Sequence, residues 1–212
     1  MIKVAMDCFN INAHYIFLVR KEHFEKYNVE EILNTISDDY EIILVDRLTE
    51  GAACTTLLAK NSINTDVPLI IVNSDQVILW NDSVNCDYFL DTDVDGAIFV
   101  FTASGPKWSY IKPDSNGRVT TVAEKQQISD LATIGVYYWK KGSDYVKYAE
   151  EMINSDTRVN GEFYVCPVYN NAIDDGKYIA FATVKEMWGI GTPEDLNEYL
   201  KHHDRNSTPS EL

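Results

Sequence analysis

The chain alternates short, densely apolar runs with stretches in which apolar residues recur every three or four positions. The dense runs are His14–Arg20 (HYIFLVR), Tyr40–Asp46 (YEIILVD), Pro68–Asn73 (PLIIVN) and Gly96–Thr102 (GAIFVFT). They are rich in β-branched and aromatic residues, and several are apolar at successive positions rather than at every second one. That is the pattern of strands covered on both faces. Between them, Val29–Ile36 carries apolar residues at 29, 32, 33 and 36, one face of a helix. Glu50–Lys60, rich in Ala and Thr, predicts a segment able to pack closely on a sheet. Strand and helix in alternation predict an α/β fold with an open mixed, mainly parallel sheet flanked by helices.

Beyond Thr102 the texture changes. Trp108–Lys112 and Arg118–Ala123 flank Pro113-Asp114-Ser115-Asn116-Gly117, a turn cluster that predicts a β-hairpin. Leu131–Lys140 (LATIGVYYWK) and Tyr178–Lys185 read as strands. Between them Ser143 is expected to cap a helix with apolar residues at 145, 149, 152 and 153. Thr192-Pro193-Glu194-Asp195 is the clearest helix start: an N-cap, Pro at the first helical position, acids in the first turn. With no internal repeat or linker, one domain is expected over 1–200, in two halves of about 1–102 and 103–200. A polar, flexible tail is expected at 201–212.

Composition narrows the class. The chain has 212 residues, 45% of them hydrophobic, enough for a full core. The formal net charge of -15 argues against nucleic acid, whose phosphates require a basic face. A phosphorylated small ligand stays compatible if a few Lys or Arg, or a metal, meet its charge. Cys8, Cys54, Cys86 and Cys166 form no CxxC pair and read as reduced core thiols. No signal peptide or run long enough to span a bilayer stands out, so a soluble cytoplasmic protein is expected.

One stretch carries candidate chemistry. In LIIVNSDQVILW (69–80), an apolar run stops at Asn73-Ser74-Asp75-Gln76. In open α/β sheets, ligands sit beyond the carboxyl ends of the parallel strands. A carboxylate there can hold Mg²⁺ and, through it, phosphate oxygens. The plain alternative is that Asp75 caps the next segment or makes a turn.

Several stretches, in order, resemble the nucleoside-triphosphate transferase family of sugar-phosphate and related nucleotidyltransferases, whose fold is shared with one large class of glycosyltransferases. They are LTEGAACTTLLA (48–59), NSDQ (73–76), the segment 105–142 (GPKWSYIK to YYWKKG), NGEFYVCPVYN (160–170) and WGIGTPEDL (188–196). The likeness is greatest to members from capsule and surface-polysaccharide gene neighbourhoods. It implies roles where residues match. Gly51, with Glu50 and Ala52 beside it, would let the nucleotide base approach the backbone. Asp75 would be the metal ligand for Mg²⁺ (or Mn²⁺), with Asn73, Ser74 and Gln76 walling the nucleotide. Lys125, in Glu124-Lys125, would neutralise the acceptor phosphate, with Glu124 also in the acceptor site. Gly135 would leave room for the group carrying that phosphate, Glu162 would accept bonds from its hydroxyls, and Trp188 and Gly191-Thr192 would close the far end. The implied partners are a nucleoside triphosphate and a phosphorylated sugar or small alcohol.

The sequence also departs from that family. Its first strand and Gly-rich, cation-bearing loop have no counterpart; Met1–Asn12 resembles the helix that follows the loop. Gly189 stands where many relatives carry a metal-binding Asp, and Gln126 replaces the usual Pro. A missing central strand would leave unpaired backbone edges, which a partner chain, for example in a homo-oligomer, could close. Without that loop, the resemblance implies either a fragment or shortened form of an active full-length relative or a short member that has lost catalysis. Two further readings stay open: a glycosyltransferase using a nucleotide-sugar, and a non-catalytic assembly subunit. Asp91-Thr92-Asp93 has the spacing a glycosyltransferase needs but lies in a polar loop.

Overall fold

The computed structural model describes residues 1–206, with side chains through His203. Helix α1 (Ile2–Met6) leads to β1 (Tyr15–Arg20), the short helices α2 (Lys21–Lys26) and α3 (Val29–Asn34), and β2 (Tyr40–Val45). Helix α4 (Ala52–Thr56), a 3-10 turn (Leu57–Ala59) and α5 (Lys60–Ile63) precede β3 (Leu69–Val72) and β4 (Gln76–Leu79). Next come β5 (Gly96–Thr102), β6 (Ser109–Pro113), β7 (Val119–Glu124) and β8 (Leu131–Trp139). The chain ends with α6 (Gly142–Asn154), α7 (Val168–Asp174), β9 (Ile179–Thr183), β10 (Glu186–Gly189) and α8 (Pro193–Asn206).

The main sheet has six strands in the order β7-β6-β8-β5-β9, with β3 also on β8. β8 runs antiparallel to β3, β5 and β6, while β9 is parallel to β5 and β7 antiparallel to β6. Hence β3, β5, β6 and β9 point one way and β7 and β8 the other: the sheet is open and mixed, as expected, but with β8 interposed its ladders are antiparallel except β5–β9, where a mainly parallel pairing was expected. The parallel pair β1–β2 forms its own two-stranded sheet, and β4–β10 an antiparallel ladder.

Both faces of the main sheet are covered, which explains the runs without polar alternation. Tyr137 and Trp139 enter a core with Tyr145, Tyr148 and Tyr169 from α6 and α7. Ile134, Val136 and Tyr138 enter a second core with Phe9, Ile78, Phe89 and Phe99. Trp139 stacks on Tyr169 at 4.3 Å, and the Tyr169 hydroxyl donates to the Tyr138 carbonyl at 2.8 Å.

The hairpin forms as expected. The Asn116 and Arg118 amide N–H groups donate to Asp114 Oδ1 at 2.8 and 3.0 Å, closing the β6–β7 turn. The α8 start also forms as expected: the Asp195 N–H donates to Thr192 Oγ1 at 3.1 Å. The start of α6 differs. Its N-cap is Lys141, with no side-chain cap, and Ser143 lies inside the helix with its hydroxyl on Asp66. Packing fixes this start instead: a Cβ at Gly142 would overlap the Ile63 carbonyl. Helix α8 continues through 201–206, assigned above to the tail; the rest of that tail lies outside the described residues. All four cysteines are free thiols, with Cys86 and Cys166 buried.

Candidate functional site

The site opens where one strand's hydrogen bonding is interrupted. β5 holds one edge of β8, so β3 and β6 share the other. β3 takes Val136–Trp139 and β6 takes Ala132. The ladder on this edge therefore breaks at Thr133–Gly135, where the Asn73 N–H reaches across to the Gly135 carbonyl, at 2.9 Å. Opposite, the register with β5 slips: Ile98 faces Tyr137 and Val100 faces Thr133, so three residues of β8 stand against one of β5. Gly135, at φ 70°, sits in this bulge, a backbone conformation that costs glycine little.

The β3–β4 turn supplies one wall. Asn73, Ser74 and Asp75 are exposed at the carboxyl end of β3. A Cβ at Gly135 would come within 2.6 Å of Asn73 Cγ and 2.7 Å of Gln76 Oε1. A side chain at 135 would thus collide with these two amides, so the turn and β8 approach closely here because the residue is glycine. Gln76 Oε1 is buried and meets no hydrogen-bond donor among the described residues, a cost unless a donor or cation reaches it. The Asp75 carbonyl accepts the Ile190 N–H at 2.8 Å. Its carboxylate lies against Gly191, where a Cβ would come within 3.1 Å of Asp75 Cγ. Asp75 is therefore not walled into the core; it is exposed in the turn between β3 and β4, as the plain alternative also expected.

Strands β4 and β10 carry the site's far end, pairing Gln76 with Gly189 and Val77 with Trp188. The Trp188 ring lies 4.4 Å from that of His202. Gly189 bears no carboxylate, but Asp195 of α8 brings its own within 3.5 Å of the position a Gly189 Cβ would take. Lys107, which donates to Asp195 at 2.9 Å, holds that carboxyl below the usual range, with help from Thr192. Sequence reading placed Asp195 only as a first-turn acid; its return to Gly189 depends on tertiary packing.

The second wall comes from the β7 end and residues 160–164. Register places it on the same side as Asp75: Glu124 faces Ser109, and the adjacent Tyr110 faces Ala132, beyond the end of β3. Glu124 is buried and takes the Ser109 hydroxyl's hydrogen bond; burial pushes its carboxyl up, partly offset by Ser109 and Lys125. Lys125 follows with φ 55°, its N–H on the Trp108 carbonyl at 3.0 Å. Its ammonium donates to the Tyr164 hydroxyl at 2.5 Å, which is the main reason its pKa is raised; the nearby Glu162 carboxylate adds to the rise.

Glu50, Gly51 and Ala52 join this wall through Phe163. The Phe163 N–H donates to the Glu50 carbonyl at 2.8 Å, and the Ala53 N–H to the Phe163 carbonyl at 3.0 Å. Gly51 has φ 123°, and a Cβ there would lie 2.6 Å from Phe163 N. The close approach that Gly51 permits is thus one between the chain's own segments. The Glu50 carboxylate pairs with Arg158 at 2.6 Å.

Asp91 and Asp93 lie elsewhere. They precede β5, whereas Asp75 follows β3, and these strands point the same way, so the two acidic segments occupy opposite ends of the sheet. Asp93 pairs with Lys140 at 3.4 Å. Among the described residues no three His, Cys, Asp or Glu side chains gather as a metal cluster, and no helix is long and apolar enough to cross a membrane.

Comparison with known proteins accords with this geometry. Among solved structures the chain is similar to a nucleoside-diphosphate-sugar pyrophosphorylase from Vibrio cholerae RC9, at 26% identity and a TM-score of 0.72, over 88% of this chain and 80% of that one. It is also similar to a UDP-glucose pyrophosphorylase complexed with UDP-glucose, at 16% identity and a TM-score of 0.70, over 91% and 80%. Curated protein sequences give no match. The nucleotidyl transferase family model matches residues 1–205; the chain belongs to that family.

Proposed function

We propose that this chain transfers a nucleotidyl group from a nucleoside triphosphate to a phosphorylated sugar or small alcohol, for surface-polysaccharide synthesis in the cytoplasm. An acceptor phosphate oxygen attacks the α-phosphorus. The new P–O bond forms as the Pα–O bond to the β-phosphate breaks, and pyrophosphate leaves with that electron pair. The attacking phosphate is already ionised, so the work is positioning and charge neutralisation. Lys125 meets the acceptor phosphate as a point charge. Glu162 accepts its hydroxyls, and Asn73, Ser74 and Glu50–Ala52 border the nucleotide.

The observation that carries this reading is Asp75, exposed at the carboxyl end of β3 with its carboxylate on Gly191. The accessible Asp75 carboxylate is the kind of ligand that Mg²⁺ or Mn²⁺ takes. Such an ion would supply charge neutralisation at the triphosphate. The separate β1–β2 sheet supports a homo-oligomer, in which another copy covers an open strand edge. Elution as a monomer on size exclusion would count against it.

A thermal-shift panel of the common triphosphates tests the activity. One triphosphate with Mg²⁺ is expected to raise Tm by roughly 5–10 °C at a hundredfold excess over Kd. Asp75→Asn is expected to remove the Mg²⁺-dependent part. If no triphosphate shifts Tm with either metal, the reading fails.

A further inference from the structure

We infer that Tyr164 is a positioning residue for Lys125, holding its ammonium in place for the phosphate of the acceptor. The inference rests on the proposed role of Lys125. Three geometric observations carry it.

First, Lys125 occupies the left-handed region at φ 55° although it is neither Gly, Asn nor Asp. Side-chain-bearing residues seldom sit there, and such outliers persist where the surroundings enforce them. Here the enforcing contacts are the Lys125 N–H on the Trp108 carbonyl and the anchored strand end at Glu124. The effect is to turn the Lys125 side chain off the line of β7 and across to the 160–164 segment.

Second, the Lys125 ammonium is held by the Tyr164 hydroxyl. It donates to the phenol oxygen at 2.5 Å, and its distance of 4.6 Å from the ring centroid places it beside the hydroxyl end of the ring. That bond to a ring of fixed position sets where the ammonium sits. A lysine ammonium has three protons; the tyrosine takes one and leaves two for a phosphate.

Third, Tyr164 is itself fixed. It is half-buried, and its neighbour Phe163 is buried and locked on both sides by the Glu50 carbonyl and the Ala53 amide. A long lysine chain is thereby referenced to the clasp that joins the two halves of the chain. The competing partner is Glu162, exposed and close enough to act on the lysine's charge. Without the tyrosine hydroxyl, the ammonium is free to swing to that carboxylate and lose part of its hold on a phosphate.

The test is calorimetric titration of α-D-glucose 1-phosphate into wild type, Lys125→Ala, Tyr164→Phe and Tyr164→Ala. Alongside it, the NMR signals of the Lys125 ε-methylene are followed in the same proteins. Wild type should bind, Lys125→Ala should lose at least tenfold in affinity, and Tyr164→Phe should lose roughly three- to tenfold. Tyr164→Ala should lose at least as much as Tyr164→Phe. The ε-methylene protons should carry a ring-current shift from Tyr164 that changes in Tyr164→Phe, as the ammonium swings away, and is lost in Tyr164→Ala. Wild-type affinity in Tyr164→Phe beside a weakened Lys125→Ala overturns the positioning role alone. An unaffected Lys125→Ala, or no binding by wild type, overturns the role of Lys125 and the inference with it. An ε-methylene signal that ignores both tyrosine variants overturns the geometry whatever the titrations give.

Discussion

β8 and β1 are written in the same alphabet and end in different situations. LATIGVYYW and YIFLVR are both nearly continuous runs of apolar residues. Eight of the nine residues of β8 are buried, whereas in β1 only Phe17 is. The faces are part of the difference. Ile16 and Leu18 pack on the same core as Tyr137 and Trp139, but on the other face Phe17 meets Tyr15 and Tyr40 of its own two-stranded sheet, and Leu44, opposite Val19, is exposed. The edges differ as well. β8 has strands along both edges, while β1 has a ladder only with β2 among the described residues. A run of apolar residues therefore marks a strand, but how far its faces and edges are covered depends on other elements, and no local pattern carries that information.

Cutting the same kind of side chain from the two strands probes this contrast most strongly. Trp139→Ala removes a ring that is 1% exposed and stacked on Tyr169. It is expected to cost about 4 kcal/mol. Phe17→Ala empties a site in a two-stranded sheet whose neighbours can close in, so its cost should be nearer 2 kcal/mol. Urea denaturation of both variants, at unchanged m-value, measures the difference. Equal losses would mean that β1 is as firmly built in as β8.

The clasp between the two halves gives the next contrast. Gly51 and Gly105 both have positive φ, 123° and 94°. A side chain at Gly51 would enter the Phe163 backbone, while one at Gly105 would meet nothing within 4 Å. Gly105→Ala bears backbone strain alone, about 1 kcal/mol, and Gly51→Ala adds a clash with main chain that cannot step aside, for a total of about 3 kcal/mol. Similar midpoints in denaturant for the two variants would show that residues 160–164 are not held by the Gly51 turn.

These contrasts also mark what the sequence could reveal. The strands of the main sheet, the Asp114 turn and the Thr192 cap were legible because each rests on residues close in sequence. The β4–β10 ladder was not. QVIL and EMWG are four residues each, too short to show a period, and they define each other across more than a hundred positions. Helix α7 was hidden in the same way, since its buried residues Val168, Tyr169 and Ala172 read equally well as strand or loop. Within the site, the exposed Asn73-Ser74-Asp75 step was visible as an abrupt change of polarity. The bulge at Gly135, the approach of Asp195 to Gly189 and the Tyr164–Lys125 bond depend on register and packing. A family resemblance could point at Gly135 and Lys125 but not at what touches them.

The smallest expected effect separates the two carboxylates of the crevice by their burial. Glu124 is inside, with its ionised form disfavoured by desolvation; Asp75 is exposed. The folded-state pKa of Glu124 therefore lies above its unfolded value, which is about 4.3. The folded chain binds that proton more tightly than the unfolded chain does. Stability linked to this group is full below the unfolded pKa, falls as pH rises towards the folded pKa, and stays reduced at neutral pH. Glu124→Gln keeps an oxygen for the Ser109 hydroxyl and removes the charge. The variant should melt slightly higher than wild type at pH 7, and its advantage should vanish below about pH 4, where both side chains are neutral. Melting curves of wild type and Glu124→Gln between pH 4 and pH 7 read this directly. A Glu124→Gln protein that gains nothing at neutral pH would mean that Ser109 and Lys125 together outweigh the cost of burying the charge.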